Sequence, residues 1–230
     1  MKKIVFFLFL SVLPSSAFSQ SNIFRDLESF TDQYNFEKSE THALEGTSYN
    51  KIEGSAYLDQ DFIPGEVKLN DTTRFEEVPL RYNVYSDKME FMTPQNYILE
   101  IDNSDANFTF YIGDQTFKNK NYLYNNEKQK GILELLSDGE IKLYKKHRIS
   151  FEPATKPKGF QEAEPDRFEK EKDRYFISIE EERPQLVMRK KDLEKILKPH
   201  CPDIKDYIKS ERIKVKNEKD LIKLIEHCNQ

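Results

Sequence analysis

From residue 78 onward the chain alternates between apolar and polar positions. Val78, Leu80, Tyr82 and Val84 fall on one face of an extended segment, and Arg81, Asn83 and Tyr85 fall on the other. After the turn residues Ser86-Asp87, Met89 and Phe91 alternate with Lys88 and Glu90, which predicts an antiparallel hairpin. Runs of the same character predict strands at 97–101, 107–112, 121–124, 131–137 and 141–151, and again at 173–179 and 184–189. Asp138-Gly139 is a hairpin turn signal between two of them. The spacing is short and no helical period intervenes. The fold class is therefore α+β and mainly β: a curved antiparallel sheet or partly open barrel, joined to three short C-terminal helices.

Those helices come from a change of period after residue 190. Leu193, Ile196 and Leu197 are spaced i, i+3, i+4, as are Ile204, Tyr207 and Ile208, and Leu221, Leu224, Ile225 and Cys228 repeat the stripe. Pro202 suits a first helical turn, and Asn217 with Asp220 three residues on forms an N-cap signal. Helices this short need tertiary packing, so the stripes must lie on one another or on the sheet. Between the strands, residues 153–172 carry Pro153, Pro157 and Pro165 among charges and read as a mobile hairpin extension. Phe24, Leu27 and Phe30 predict a brief helix at 23–34, followed by a polar loop. The organisation is thus a leader at 1–19, a helix and loop at 20–53, a β domain at 54–189 containing the 153–172 loop, and a helical module at 190–230.

The first residues have the grammar of an export signal. Lys2 and Lys3 precede a ten-residue apolar core, Ile4–Leu13, with small residues Ala17 and Ser19 at the cleavage position. That core is half the length of a membrane span, so no transmembrane anchor is expected after cleavage. No cysteine follows the core to receive a lipid, and LIKLIEHCNQ lacks the aromatic alternation of an outer-membrane strand. The expected destination is the periplasm or the exterior. Loss of the two leader lysines takes the net charge from −5 to −7, a poor match for nucleic acid. Seven glycines in 230 residues leave no phosphate-cradling loop, and a mean hydropathy of −0.79 excludes a multi-span membrane protein.

Candidate chemistry is sparse. Cys201 and Cys228 each follow a histidine, His200 and His227. In an oxidising compartment the pair reads as a disulfide stabilising by about 3–4 kcal/mol; two free thiols or a Cys2His2 metal site are the alternatives. His42 stands alone, and His147 lies in the run Lys145-Lys146-His147-Arg148, which reads as a solvated strand face. No HExxH pair occurs, and neither a metal nor a cofactor is expected. Glu90, Glu100, Glu134 and Glu140 lie on predicted strands, where two-carboxylate hydrolysis is conceivable and solvent-facing glutamates are the ordinary case. Residues 101–107, IDNSDAN, group oxygen ligands without EF-hand spacing and read as an Asx-rich turn. Arg81, Asn83 and Tyr85 are the candidate binding residues: inside a closed sheet they would line a polar cavity, and otherwise they form its solvated face.

Two segments carry a resemblance. GSAYLDQDFIPGEVKLND followed by VPLRYNVYSDKMEF, and the tail from residue 189 to 229, resemble exported Gram-negative bacterial proteins of unknown function. The residues concerned are Gly54, Ser55, Tyr57 and Leu58, with Pro79, Leu80, Arg81, Tyr82 and Asn83. The resemblance covers roughly 54–101 and 189–229, implies no activity, and gives no role to the His-Cys pairs.

The expected function is binding without catalysis, with another envelope protein as partner. The alternatives are a carrier of a small ligand or lipid in a barrel cavity, and a hydrolase using paired carboxylates.

Overall fold

A computed structural model of the chain describes residues 37–38, 43–44, 47–69, 73–93, 95–101, 107–156 and 164–230. The leader, the 23–34 helix, His42 and most of the 101–107 turn lie outside the described residues.

Fifteen strands are described. Two-residue strands come first among the described residues: β1 (Glu37–Lys38), β2 (Ala43–Leu44) and β3 (Thr47–Ser48). Then come β4 (Ile63–Leu69), β5 (Thr73–Asn83), β6 (Lys88–Met92), β7 (Ile98–Glu100) and β8 (Phe108–Ile112). They are followed by β9 (Gln115–Tyr124), β10 (Glu127–Ser137) and β11 (Ile141–Lys146). The last are β12 (Ile149–Glu152), β13 (Arg167–Lys170), β14 (Arg174–Ile179) and β15 (Gln185–Val187). Eleven of these form one sheet in the order β1-β7-β6-β5-β4-β8-β9-β10-β11-β14-β15. All its neighbours are antiparallel, but β15 also meets β9 in parallel at Gln185 and Leu123, which closes β9, β10, β11, β14 and β15 into a five-strand barrel. The helices α1 (Lys190–Leu197), α2 (Ile204–Ser210) and α3 (Glu218–Cys228) complete the fold.

The alternation decides which side chains enter which core. Val78, Leu80, Tyr82 and Val84 are all buried, packed with Val67, Phe91, Phe110 and Phe117 under the β4–β8 part of the sheet. In the barrel, the register sets Leu135, Tyr144, Phe176 and Leu186 in one row across β10, β11, β14 and β15. The Tyr122 ring of β9 lies 4.9 Å from Phe176 and joins them. The neighbouring positions, Ile141, Leu143 and Ile177, face the opposite way and carry Leu193, Leu197, Ile208, Leu221 and Leu224 of the helices. Helices cover the outside, so the Tyr122–Leu133–Tyr144–Phe176 set fills the barrel interior. Each fully buried leucine or isoleucine contributes about 1.5–3 kcal/mol of transfer free energy, which holds helices that would not persist alone.

The helix signals resolve individually. Asn217 Oδ1 accepts from Asp220 N–H at 3.0 Å, as an N-cap should. Pro202 stands just ahead of the Asp203 cap rather than inside α2. Cys201 and Cys228 form a disulfide, Cα–Cα 5.3 Å, tying the start of α2 to the end of α3. Next to it, the Asn229 side chain exchanges two hydrogen bonds of 2.9 Å with the backbone N–H and carbonyl of Ile141 and thereby latches the helical module to β11.

Three expectations are corrected. The predicted 141–151 strand breaks at His147-Arg148, and its second part, β12, pairs with β13 instead of continuing in the main sheet. Arg167–Lys170 of the presumed loop is therefore a strand. β5 is also longer than the alternation shows. Glu77 at φ +55° and a register shift against β4 form a bulge, so Phe75 and Val78, three apart, are both buried. Finally, the basic run is not a solvated face, as its contacts show below.

Candidate binding cleft

Arg81, Asn83 and Tyr85 are placed by the β5–β6 hairpin and by the segment before β4. Gly54 sits at φ +79°, where a Cβ would meet the Phe168 carbonyl oxygen. Ser55 Oγ accepts from Tyr57 N–H at 3.1 Å, and the next residues run along the hairpin: Val84 N–H donates to Ala56 O at 2.9 Å and Leu58 N–H to Tyr82 O at 3.0 Å. The 54–58 and 79–83 stretches of the first resembling segment are thus one structural unit. Its centre is Arg81, clamped between the rings of Tyr57 at 3.8 Å and Phe62 at 4.2 Å. Arg81 Nε and Nη2 donate to Glu90 Oε2 at 3.1 and 2.6 Å, and Nη1 to the Gln60 carbonyl at 3.1 Å. Asn83 Nδ2 donates to Glu90 Oε1 at 3.0 Å. The Glu90 carboxylate is wholly buried, so the guanidinium and the amide supply the partners that a buried charge requires. Tyr85 packs against Tyr49 and Phe168. A hollow of about 350 Å³ opens over Tyr49, Tyr57, Gln60, Asp61 and Arg81. Burial, helped by the neighbouring Tyr85 and by Glu100 and Glu90, pushes the Tyr49 hydroxyl up to about 12.

Of the remaining candidate carboxylates, Glu100 stands opposite Glu90 in the β6–β7 register, and Glu134 and Glu140 have other attachments. Glu134 lies at the centre of a buried cluster that sequence reasoning missed. His147 Nε2 is 2.5 Å and Lys145 Nζ 2.9 Å from Glu134 Oε2, and Gln115 Nε2 donates to Oε1 at 3.0 Å. Lys145 also reaches Glu218 of α3 at 2.9 Å, joining the barrel to the helices. Burial alone would raise the Glu134 carboxyl; the hydrogen bonds from His147, Lys145 and Gln115 outweigh it and hold it at about 2. Lys146 points the other way and pairs with Asp87, which also accepts from Tyr82 Oη at 2.7 Å. Burial lowers this lysine's affinity for its proton, and Asp87 opposes that. Three of the four residues of the basic run therefore hold the core together.

At the surface of the helical module, His200 Nδ1 lies 3.2 Å from Glu140 and His227 Nε2 lies 2.9 Å from Asp203. Cys201, Asp203 and His227 converge closely enough for a metal, but the cysteine sulfur is engaged in the disulfide, and the His227 ring stacks on Tyr207 at 3.8 Å. The two His-Cys pairs are thus a disulfide flanked by two histidine–carboxylate contacts.

A second concave surface lies elsewhere among the described residues, on the two sides of β15. One hollow of about 560 Å³ has Tyr175, Val187 and Val215 as its apolar floor and Arg148, Lys172, Arg174 and Lys216 around it. A second, of about 440 Å³, lies between the β9–β10 turn at Asn125-Asn126 and α1, with Leu123 and Ile196 as its apolar members. The two share Leu186 and Met188. Met188 is 61% exposed; the other large apolar side chain so exposed among the described residues is Tyr97. No local motif marks this cleft. It is assembled from five stretches of chain, and its signal in the sequence is the unpaired Met188 beside Arg189-Lys190-Lys191.

No helix among the described residues is long and apolar enough to cross a membrane. The chain matches no known protein-family model, no characterised protein and no solved structure.

Proposed function

We propose that the chain is an exported envelope protein that works by binding another envelope protein, and that the cleft beside β15 is the contact surface. The observation that carries this reading is Met188: a large apolar side chain held in water where two hollows of several hundred Å³ meet. The barrel interior supports it indirectly. Tyr122, Leu133, Tyr144 and Phe176 occupy the space a carried ligand would need. Export rests on the Lys2–Ser19 leader pattern, and the Cys201–Cys228 disulfide is consistent with an oxidising compartment. The resemblance to exported Gram-negative proteins points the same way.

The test is photo-crosslinking in the intact envelope. A photoreactive residue at position 188 is expected to give a discrete protein adduct, and the same residue at position 97 is expected to give none. Tyr97 is 59% exposed, so the two sites are equally accessible. No adduct at 188, or the same adducts at both, would refute the assignment.

A further inference from the structure

We infer that the cleft receives an extended polypeptide segment in which apolar side chains alternate with carboxylates. This rests on the binding reading above and adds the chemistry of the partner. The first ground is charge. Arg148 pairs with Glu171, and Asp192 accepts from Arg189 and from the backbone at the start of α1. That leaves Lys172, Arg174, Lys216 and Lys195 on the walls with no carboxylate partner among the described residues. Asp173, the acid beside them, turns Oδ1 inward, where it is buried 3.7 Å from His147 Nδ1. A chain with five more acids than bases has thus gathered unneutralised cations around the two hollows beside β15. Such a surface attracts a negatively charged partner.

The second ground is the shape of the edge. β15 pairs with β14 along its length, whereas on its other side it meets β9 at Gln185 alone. The edge at Leu186–Val187 is paired with no strand there among the described residues. An extended peptide laid beside such an edge gains backbone hydrogen bonds and sends alternate side chains to opposite sides. One set would reach the Leu186–Met188 floor, and the other would reach the lysines and Arg174. The Arg174 guanidinium, stacked 4.4 Å from the Tyr124 ring, is held in place to receive a carboxylate.

The experiment measures fluorescence anisotropy of labelled peptides of about eight residues, a usual strand length, with the mature protein. One alternates Leu and Glu, one Leu and Lys, and one Ser and Glu. The Leu/Glu peptide is expected to bind, with both others at least about tenfold weaker, and its affinity is expected to fall as salt rises. M188E and the double variant K172E/K216E should each weaken it about tenfold or more, and Y97E should leave it unchanged. All these positions are exposed, and circular dichroism checks that each variant is folded. Equal binding of the Leu/Lys or the Ser/Glu peptide overturns the proposal. So does displacement of the peptide by phosphatidylglycerol vesicles, which assigns the cleft to lipid. Self-association that M188E abolishes also overturns it, because a second copy of the chain is then the occupant. A position-188 adduct without Leu/Glu binding rejects this chemistry and leaves the contact surface standing; loss of both rejects both.

Discussion

Replacing Glu134 by glutamine keeps the shape of the side chain and removes its charge from the cluster of His147, Lys145 and Gln115. The size of the effect follows from the carboxyl's displaced titration. Its folded-state pKa is about 2 against an ordinary 4.5, and at about 1.4 kcal/mol per unit the ionised form contributes roughly 3 kcal/mol to folding. The folded pKa is the lower one. The contribution is therefore complete above pH 4.5 and disappears as pH falls toward 2. Glu134→Gln should cost about 3 kcal/mol at pH 7, a fall in Tm of roughly 6–12 °C for a chain of this size. The difference between the two proteins should shrink below pH 4.5 and be small by pH 2, where about half of the native side chains have taken up a proton. Urea denaturation of both proteins at a series of pH values measures this directly. Subtracting the two curves cancels the titrating groups that do not touch Glu134; His147 and Lys145, which do, belong to the cluster being measured. A gap that stays constant from pH 7 to pH 2, or a gap below about 1 kcal/mol at pH 7, would show that the cluster does not hold the carboxylate as the geometry requires.

Three further outcomes are expected. Cys201→Ser with Cys228→Ser should lower stability by about 3–4 kcal/mol, since the bridge spans 27 residues, and thiol titration of the unreduced native protein should find no reactive cysteine; two reactive thiols would refute the bridge. Gly54→Ala should cost about 1–3 kcal/mol by calorimetry, because a methyl group there meets the Phe168 carbonyl at a positive φ; an unchanged Tm would show that the segment is not fixed against β13. Arg81→Lys should lose about 2 kcal/mol or more in chemical denaturation, since an ammonium cannot fill the slot between Tyr57 and Phe62 or keep both contacts to Glu90; a neutral result would mean that the buried Glu90 is satisfied some other way.

The parts of the fold set by local repetition were legible in the chain. Val78, Leu80, Tyr82 and Val84 are buried in the strict order of their alternation, and Asn217 caps α3 as its position relative to Asp220 implies. Compartment logic also identified the cysteine bridge. Features that depend on distant partners were not legible. Lys145, Lys146 and His147 look like a solvated run because the acids that admit them to the core, Asp87, Glu134 and Glu218, are scattered along the chain. The bulge at Glu77 shifts the alternation by one residue and so disguises the first half of β5. The cleft beside β15 was invisible for the same reason: residues from 123 to 216 form it only after the barrel has closed. Alternation groups Arg81, Asn83 and Tyr85 on one face, whereas Glu90 and the 54–62 segment, which meet Arg81 and Asn83 there, carry no local sign of that contact.

The Asn229–Ile141 latch has a consequence for synthesis. Its two partners are 88 residues apart, so at ribosomal speeds of about 5–20 residues per second the edge of β11 waits roughly 4–18 s for its counterpart to be made. During that interval the barrel strands β9 to β11 already exist, while the helices that cover their apolar outer face do not. A nascent chain in this condition presents Leu143 and Ile141 to whatever surrounds it. Holding the polypeptide unfolded until its final helix has been synthesised would shelter that face until its own cover arrives.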